Sequence, residues 1–136
     1  MSAGPEQALA EAVRAALIIA PGVMAVLGDP PRVYDEAPAE PIYPYAALGE
    51  ASAAPRDSAS AQAVEHALTV HFYTRFGGRP EALDAIAAIR AALHDQPLTI
   101  PGRKLVYLFA VFADVFRLNE RTTHGVVRLK ALTEPL

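Results

Sequence analysis

The stretch that decides the fold is residues 63–93, which read AVEHALTVHFYTRFGGRPEALDAIAAIRAAL. Its first part alternates in the way that is typical of a strand, and one side of the pleat carries Val64, Leu68, Val70 and Phe72. Gly77 and Gly78 end this pattern, and Pro80 and Glu81 are residues that favour the start of a helix. The stretch therefore predicts a strand that turns directly into a helix.

The second part of the stretch repeats every three or four residues, which is the spacing of one helical face. The apolar residues of that face are Ala82, Ile86, Ile89 and Leu93, with Leu83 beside them. Asp84 and Arg90 fall on the polar side. We expect the helix to lie on the apolar face of the strand and to form the first half of a two-layer core.

Composition limits the kinds of protein this chain can be. With 136 residues, of which 52% are hydrophobic and 20% charged, it has the size of a single domain spanning 1–136. The absence of cysteine excludes disulfides, thiolate catalysis and cysteine zinc sites. A net charge of -3 argues against a protein that grips nucleic acid through its phosphates, although DNA could still slide past such a protein.

The remaining sequence extends this core on both sides. The patterns predict a helix at 6–19, a short helical turn at 23–27, and strands at 32–34, 43–49, 104–118 and 124–132. The fold class that follows is α+β, with a small antiparallel or mixed sheet of about four to five strands and two main helices packed on one face. The apolar run 15–27 is split by Pro21 and Gly22 and is too short for a membrane span, so we expect a soluble chain that contacts no membrane.

Residues 104–118 are apolar on both sides, which leaves two interpretations open. A buried helix is one, but the aromatic and β-branched content favours a long strand covered on both faces, one of them by another subunit. The candidates for the subunit interface are Leu105, Tyr107, Phe109 and Val111 on this strand, and Tyr43 and Tyr45 on the strand predicted at 43–49.

Residues 50–62 contain no apolar side chain larger than alanine, so they cannot hold themselves in place by burial. We predict a mobile loop, or a long hairpin tip that only a partner orders. A solvated loop without a task fits the sequence equally well.

The search for reactive groups is largely negative. His66 and His71 are five residues apart on one strand and so point to opposite faces, which predicts half-exposed histidines and no shared metal. His94 suits a helix C-terminus, and His124 suits a turn. Asp35 and Glu36 lie in a proline-rich link that would not hold an acid or base rigidly.

Gly77-Gly78-Arg79 lacks the spacing of a phosphate-binding loop, and no nucleophile motif is present. The sequence accordingly predicts no enzyme, no catalytic residue, no metal site and no cofactor.

Several segments together resemble the small tail-terminator family of gene transfer agents and long-tailed phages, also called tail completion proteins. They are 32–34, 41–45, 48–50, HALTVH at 66–71, GGR at 77–79, 86–93, and HGVVRLKAL at 124–132. The similarity covers nearly the whole chain, and ordinary residues carry it without a catalytic motif.

The resemblance implies a hexameric ring that sits on the last ring of the tail tube, stops tube growth and presents a surface to the head connector. The implied partners are further copies of the chain, the tube protein and the connector or stopper, with DNA only in transit. The implied location is the tail-neck region of a virion or gene transfer agent particle made in the bacterial cytoplasm. Candidates for contact with the tube or connector are Arg56 and Asp57 in the loop, and Asn119, Glu120 and Arg121 in the last hairpin.

Two alternatives remain at this point. Another neck component, a stopper or connector, would leave filled heads that leak DNA when it is missing, whereas a missing terminator would give overlong or unattached tails. A small ligand-binding domain would require a deep pocket with converging polar groups.

Overall fold

The chain folds into one mixed sheet with helices on one side, described by a computed structural model over residues 4–57 and 62–136. In chain order the elements are α1 (Pro5–Ile19), α2 (Pro21–Leu27), β1 (Val33–Tyr34), β2 (Tyr45–Pro55), β3 (Val64–Thr74), α3 (Gly78–Leu93), β4 (Arg103–Arg117) and β5 (Thr123–Pro135). The strand order is β1-β2-β3-β5-β4, with β1 and β2 parallel and the other neighbours antiparallel. The predicted α+β class with a small mixed sheet is confirmed.

The core lies between the sheet and the helices, as the alternating pattern of β3 predicts. Leu68, Val70 and Phe72 are buried in one cluster with Ile86 and Ile89 of α3. His66 shares this face and is only 3% exposed, with its Nε2 2.9 Å from Thr133 Oγ1. The prediction of a half-exposed His66 is therefore wrong, because the same alternation that buries Leu68 also buries the residue two positions before it.

Residues 50–55 were predicted to be loop, but they continue β2. After an irregularity between Leu48 and Ala51, β2 stays paired with β3 as far as Pro55 opposite Val64. Backbone hydrogen bonds to the neighbouring strand hold this segment, so it needs no large side chains. The predicted loop also includes residues 58–61, which lie outside the described residues.

Strand β4 lies at the edge of the sheet, beyond β5. One side of β4 packs against the core through Leu108, Ala113 and Val115. Exposed apolar residues of β4 are Val106, Val111, Phe112 and Phe116, so the predicted covering of its second face by another subunit stays a prediction. The register with β5 shifts next to Val106 and Val111, so both valines lie at bulges. An edge strand with this many exposed apolar residues is typical of a surface that a partner covers.

Within the described residues, no single helix combines the length and hydropathy that a membrane span requires. Helices α1 and α2 meet these two criteria only as a pair, and they are bent by 79° where they join.

Candidate functional site

A row of aromatic rings crosses the face of the sheet opposite the helices, and we call it the aromatic band. The register sets Tyr45 beside Tyr73, Tyr73 beside His124, and His124 beside Phe116, so their side chains share one face. The ring centroids are 5.0 Å apart for Tyr45 and Tyr73, 4.4 Å for Tyr73 and His124, and 4.8 Å for His124 and Phe116. Tyr43 extends the band, 5.2 Å from Tyr45. The band offers a rigid apolar surface at one end of the sheet.

Burial raises the pKa values of Tyr45 and Tyr73 in the band. Burial, followed by the neighbouring phenols of Tyr43 and Tyr73, raises the pKa of Tyr45 to about 12. The guanidinium of Arg75 lies over the ring of Tyr43, with Cζ 4.2 Å from the centroid. The Nε of Arg75 also donates to Thr122 Oγ1 at 3.1 Å, which ties the band to the hairpin between β4 and β5.

Three polar side chains form a chain of hydrogen bonds beside the band. His71 Nε2 lies 3.2 Å from a carboxylate oxygen of Glu50, and His71 Nδ1 lies 2.8 Å from His124 Nε2. Since a carboxylate only accepts, His71 donates from Nε2, and its Nδ1 then accepts from His124 Nε2 when both rings are neutral. The charge of His71, when protonated, is the main cause that lowers the pKa of the Glu50 carboxyl.

This hydrogen-bonded chain ends inside the protein, at His124 Nδ1, which is buried and has no partner among the described residues. The rings of Tyr73 and Phe116 pack beside the His124 ring. The predicted strand 124–132 begins at His124, which we interpreted as a turn residue, but His124 lies within β5 and is buried.

The two buried histidines make stability depend on pH. Burial is the main cause that lowers the pKa values of His66 and His124 below that of an unfolded histidine, near 6.5. The unfolded chain therefore binds protons that the folded chain rejects, so stability is complete above about pH 6.5 and falls as the solution becomes more acidic. We expect a lower midpoint of thermal unfolding at pH 5.5 than at pH 7.5.

The matched variants for this measurement are His66→Gln and His124→Gln, each of which should flatten the pH dependence. Arg90→Gln serves as the control, because Arg90 is an exposed residue of α3 that keeps its charge throughout this pH range. Equal pH slopes for all four proteins would contradict this origin of the acid sensitivity.

Gly49 leaves the space that the ring of His71 occupies. A Cβ at this position would lie 2.3 Å from two atoms of that ring. Gly49→Ala should therefore displace the ring, break its contacts with Glu50 and His124, and lower the free energy of unfolding by about 1–3 kcal/mol. Urea unfolding measures this loss, with Gly22→Ala as the control, whose Cβ would meet Ala88 at an ordinary 3.5 Å. A loss no larger than that of the control would contradict the contact.

The predicted interface residues lie at two opposite edges of the sheet. Tyr107 and Phe109 stack at 5.0 Å on the helix-free face of β4, and Val111 is exposed beside them. Leu105 instead packs against the core. The other two candidates, Tyr43 and Tyr45, belong to the aromatic band near β1. Their role in subunit contact stays a prediction.

The predicted contact residues for tube and connector lie at opposite ends of the strands. Arg56 follows β2 and pairs with Glu65, and Asp57 comes directly after it. Asn119, Glu120 and Arg121 form the hairpin between β4 and β5, which lies beside the other end of β3.

That hairpin is held by local hydrogen bonds. The Oδ1 of Asn119 accepts from the backbone N–H groups of Arg121 and Thr122, both at 2.9 Å. Arg117 Nη1 donates to the carbonyl oxygen of Glu120 at 3.1 Å. The two ends are therefore separate surfaces, and the hairpin is already ordered before any partner binds.

The described residues offer little for small-molecule chemistry. Nowhere in ranges 4–57 and 62–136 do three histidine, aspartate or glutamate side chains come close enough to hold a metal ion. Two of the surface grooves have volumes of about 450 and 490 Å³. The first lies between α1 and β1, and the second lies on the helix-free face near Ala54 and Ala67.

A family model described as tail completion protein gp17 matches residues 11–134 of the chain. No curated protein sequence matches this chain. A chain in a solved structure described as the virion of a native gene transfer agent particle is 25% identical and superposes with a TM-score of 0.86. That alignment covers 98% of this chain and 99% of the other.

Proposed function

Because the chain belongs to the tail completion protein gp17 family, we propose that it forms a ring that caps the tail tube and stops its growth. In this proposal the ring also joins the tail to the head connector and lets DNA pass through its channel. The resemblance drawn from the sequence is confirmed, and the chain is a structural tail protein of the virion.

The observation that carries the ring proposal is the placement of the contact surfaces. A closed ring needs two different surfaces on each copy, on sides that can face one another after rotation. In this proposal the exposed apolar residues of β4 form one surface, and the half-buried Tyr43, which packs on the buried Tyr45 near β1, forms the other at the opposite edge of the sheet. The hairpin at Asn119 and the residues Arg56 and Asp57 are then left at the two ends of the strands, where tube and connector would bind.

Charge supports a channel that DNA traverses without being held. The chain has a net charge of -3, so it does not neutralise phosphates in the way that a DNA-binding protein does. We propose that residues 1–136 act as one domain in this ring.

The direct test adds the purified protein to tail tube protein that is polymerising. The capped tubes should stop growing at a length set by the moment of addition, and the protein should be visible as a ring at one end in electron micrographs. Tubes that elongate normally, with the protein bound nowhere, would contradict the proposal. Binding only to head connectors would favour a stopper instead.

Variants at the two ends assign the partners. Glu120→Ala with Arg121→Ala removes two side chains but keeps Asn119, whose side chain holds the hairpin. Arg56→Ala with Asp57→Ala removes two side chains at the opposite end of the strands. One pair should abolish capping and the other should abolish joining to the connector. The control is Arg90→Ala, an exposed change on α3.

A further inference from the structure

The two edges of the sheet carry opposite charge. Residues 1–50, which form α1, β1 and the start of β2, contain seven acidic and two basic residues, a net charge of -5. Residues 101–136, which form β4 and β5, contain six basic and three acidic residues, a net charge of +3. Since β1 and β4 are the outer strands, the segment at one edge of each copy is opposite in net charge to the segment at the other edge of a second copy. Of the basic residues, Lys130 is already paired with Glu65 of β3.

The acidic edge contains a groove of about 450 Å³ between α1 and β1, which we call the acidic groove. Ala10, Tyr34 and Leu48 form its apolar part, and Glu11, Asp35 and Glu36 supply carboxylates. All three acidic residues are exposed, and within the described residues none of them is in an ion pair. Arg14 also lines the groove, and its Nε donates to the carbonyl oxygen of Val33. The groove therefore has an apolar floor and an excess of negative charge, three carboxylates against one guanidinium.

The helix-free face beside the basic edge carries an exposed pair of matching chemistry at the border of the second groove. Phe112 of β4 is paired with Arg128 of β5, and the Arg128 Cζ lies 4.9 Å from the centre of the Phe112 ring. Phe112 is 46% exposed, and Arg128 is exposed with no ion-pair partner in the described part of the chain. We call this pair the Phe112–Arg128 knob.

We propose that the Phe112–Arg128 knob of one copy sits in the acidic groove of the next copy. The phenyl ring contacts the apolar floor, and the guanidinium pairs with the carboxylates of Asp35 and Glu36. An aromatic anchor beside an arginine is the composition of interface residues that dominate binding. Because knob and groove are different surfaces, the contact is head-to-tail and continues until the ring closes. The inference rests on the proposed ring and specifies the contact that forms it.

Charge reversal tests the pairing in solution. Arg128→Glu should weaken association at least tenfold, and so should Asp35→Arg with Glu36→Arg. Combining all three changes should restore most of the association, because the charges are then exchanged between the two surfaces. Sedimentation at low and high salt gives the association constants. Arg90→Glu, the same charge change on the exposed side of α3, should leave association unchanged. Failure of the combined variant to recover, when each single set weakens association, would overturn the contact.

Cross-linking tests the same contact in assembled particles. This test does not require the free protein to be oligomeric. Since the chain has no cysteine, Val111→Cys with Glu36→Cys introduces the only two thiols of the chain and keeps both Phe112 and Arg128. A short bis-maleimide should convert the double variant into a ladder of covalent oligomers, whereas each single variant should stay monomeric. Particles with a normal amount of the protein but no ladder, or with cross-links only to another particle protein, would overturn the contact.

The two proposals fail in different ways. If tails have normal length and attachment but the ladder is absent, the capping role stands and the knob-in-groove contact is wrong. If particles that lack the protein have normal tails, the capping role itself is wrong, whatever the cross-linking shows.

Discussion

Particles assembled without this protein should carry tails that are too long or that are not attached to heads. The physical reason is that a tail tube grows by adding identical rings, and nothing in such a ring marks the last one. A terminal ring must bind the tube on one side and present a different surface on the other. We expect a broad distribution of tube lengths in place of a narrow one, measured on electron micrographs.

Supplying the wild-type chain in the same cells should restore the narrow distribution. Each of two double variants should fold but restore only one of the two properties, tail length or attachment to heads. The first carries Glu120→Ala with Arg121→Ala, and the second carries Arg56→Ala with Asp57→Ala. Tails of normal length on filled heads that lose their DNA would instead identify a stopper, and the terminator role would then be wrong.

The central part of the fold could be predicted because its signals are local. The change of period between β3 and α3 and the glycines at Gly77 and Gly78 are visible in a short window. The end of β2 could not be found in this way, because an alanine-rich strand is formed by backbone pairing with β3. The edge position of β4 likewise depends on the order of strands, which a single strand's sequence does not contain.

The aromatic band shows the same limit at the candidate site. Tyr45, Tyr73 and His124 come from three strands, and only the register brings them together. His71 and His124 are 53 residues apart in the chain, so no spacing rule suggests their hydrogen bond. The burial of His66, in contrast, could have been predicted from the sequence, because strict alternation from Leu68 places His66 on the buried face of β3.

The Phe72→Ala variant should lose about 3–5 kcal/mol of its free energy of unfolding, measured by urea denaturation. Phe72 is 1% exposed in the central strand β3, and its neighbours across the sheet are Ala46 and Gly125. Because these neighbours are small, their side chains cannot move into the space that the ring leaves. A loss of this size is a large part of the roughly 5–15 kcal/mol by which a domain is stable.

Phe76→Ala is the matched control, because it removes the same ring four residues further along the chain. Phe76 is 81% exposed, so the change should alter the free energy of unfolding by no more than about 0.5 kcal/mol. Equal losses for the two variants would contradict the packing of β3 against the helices. The aromatic band lies on the opposite face of the same strand, at Tyr73. A loosened core at Phe72 should therefore also weaken the assembly of copies into the proposed protein ring, whereas Phe76→Ala should leave that assembly intact.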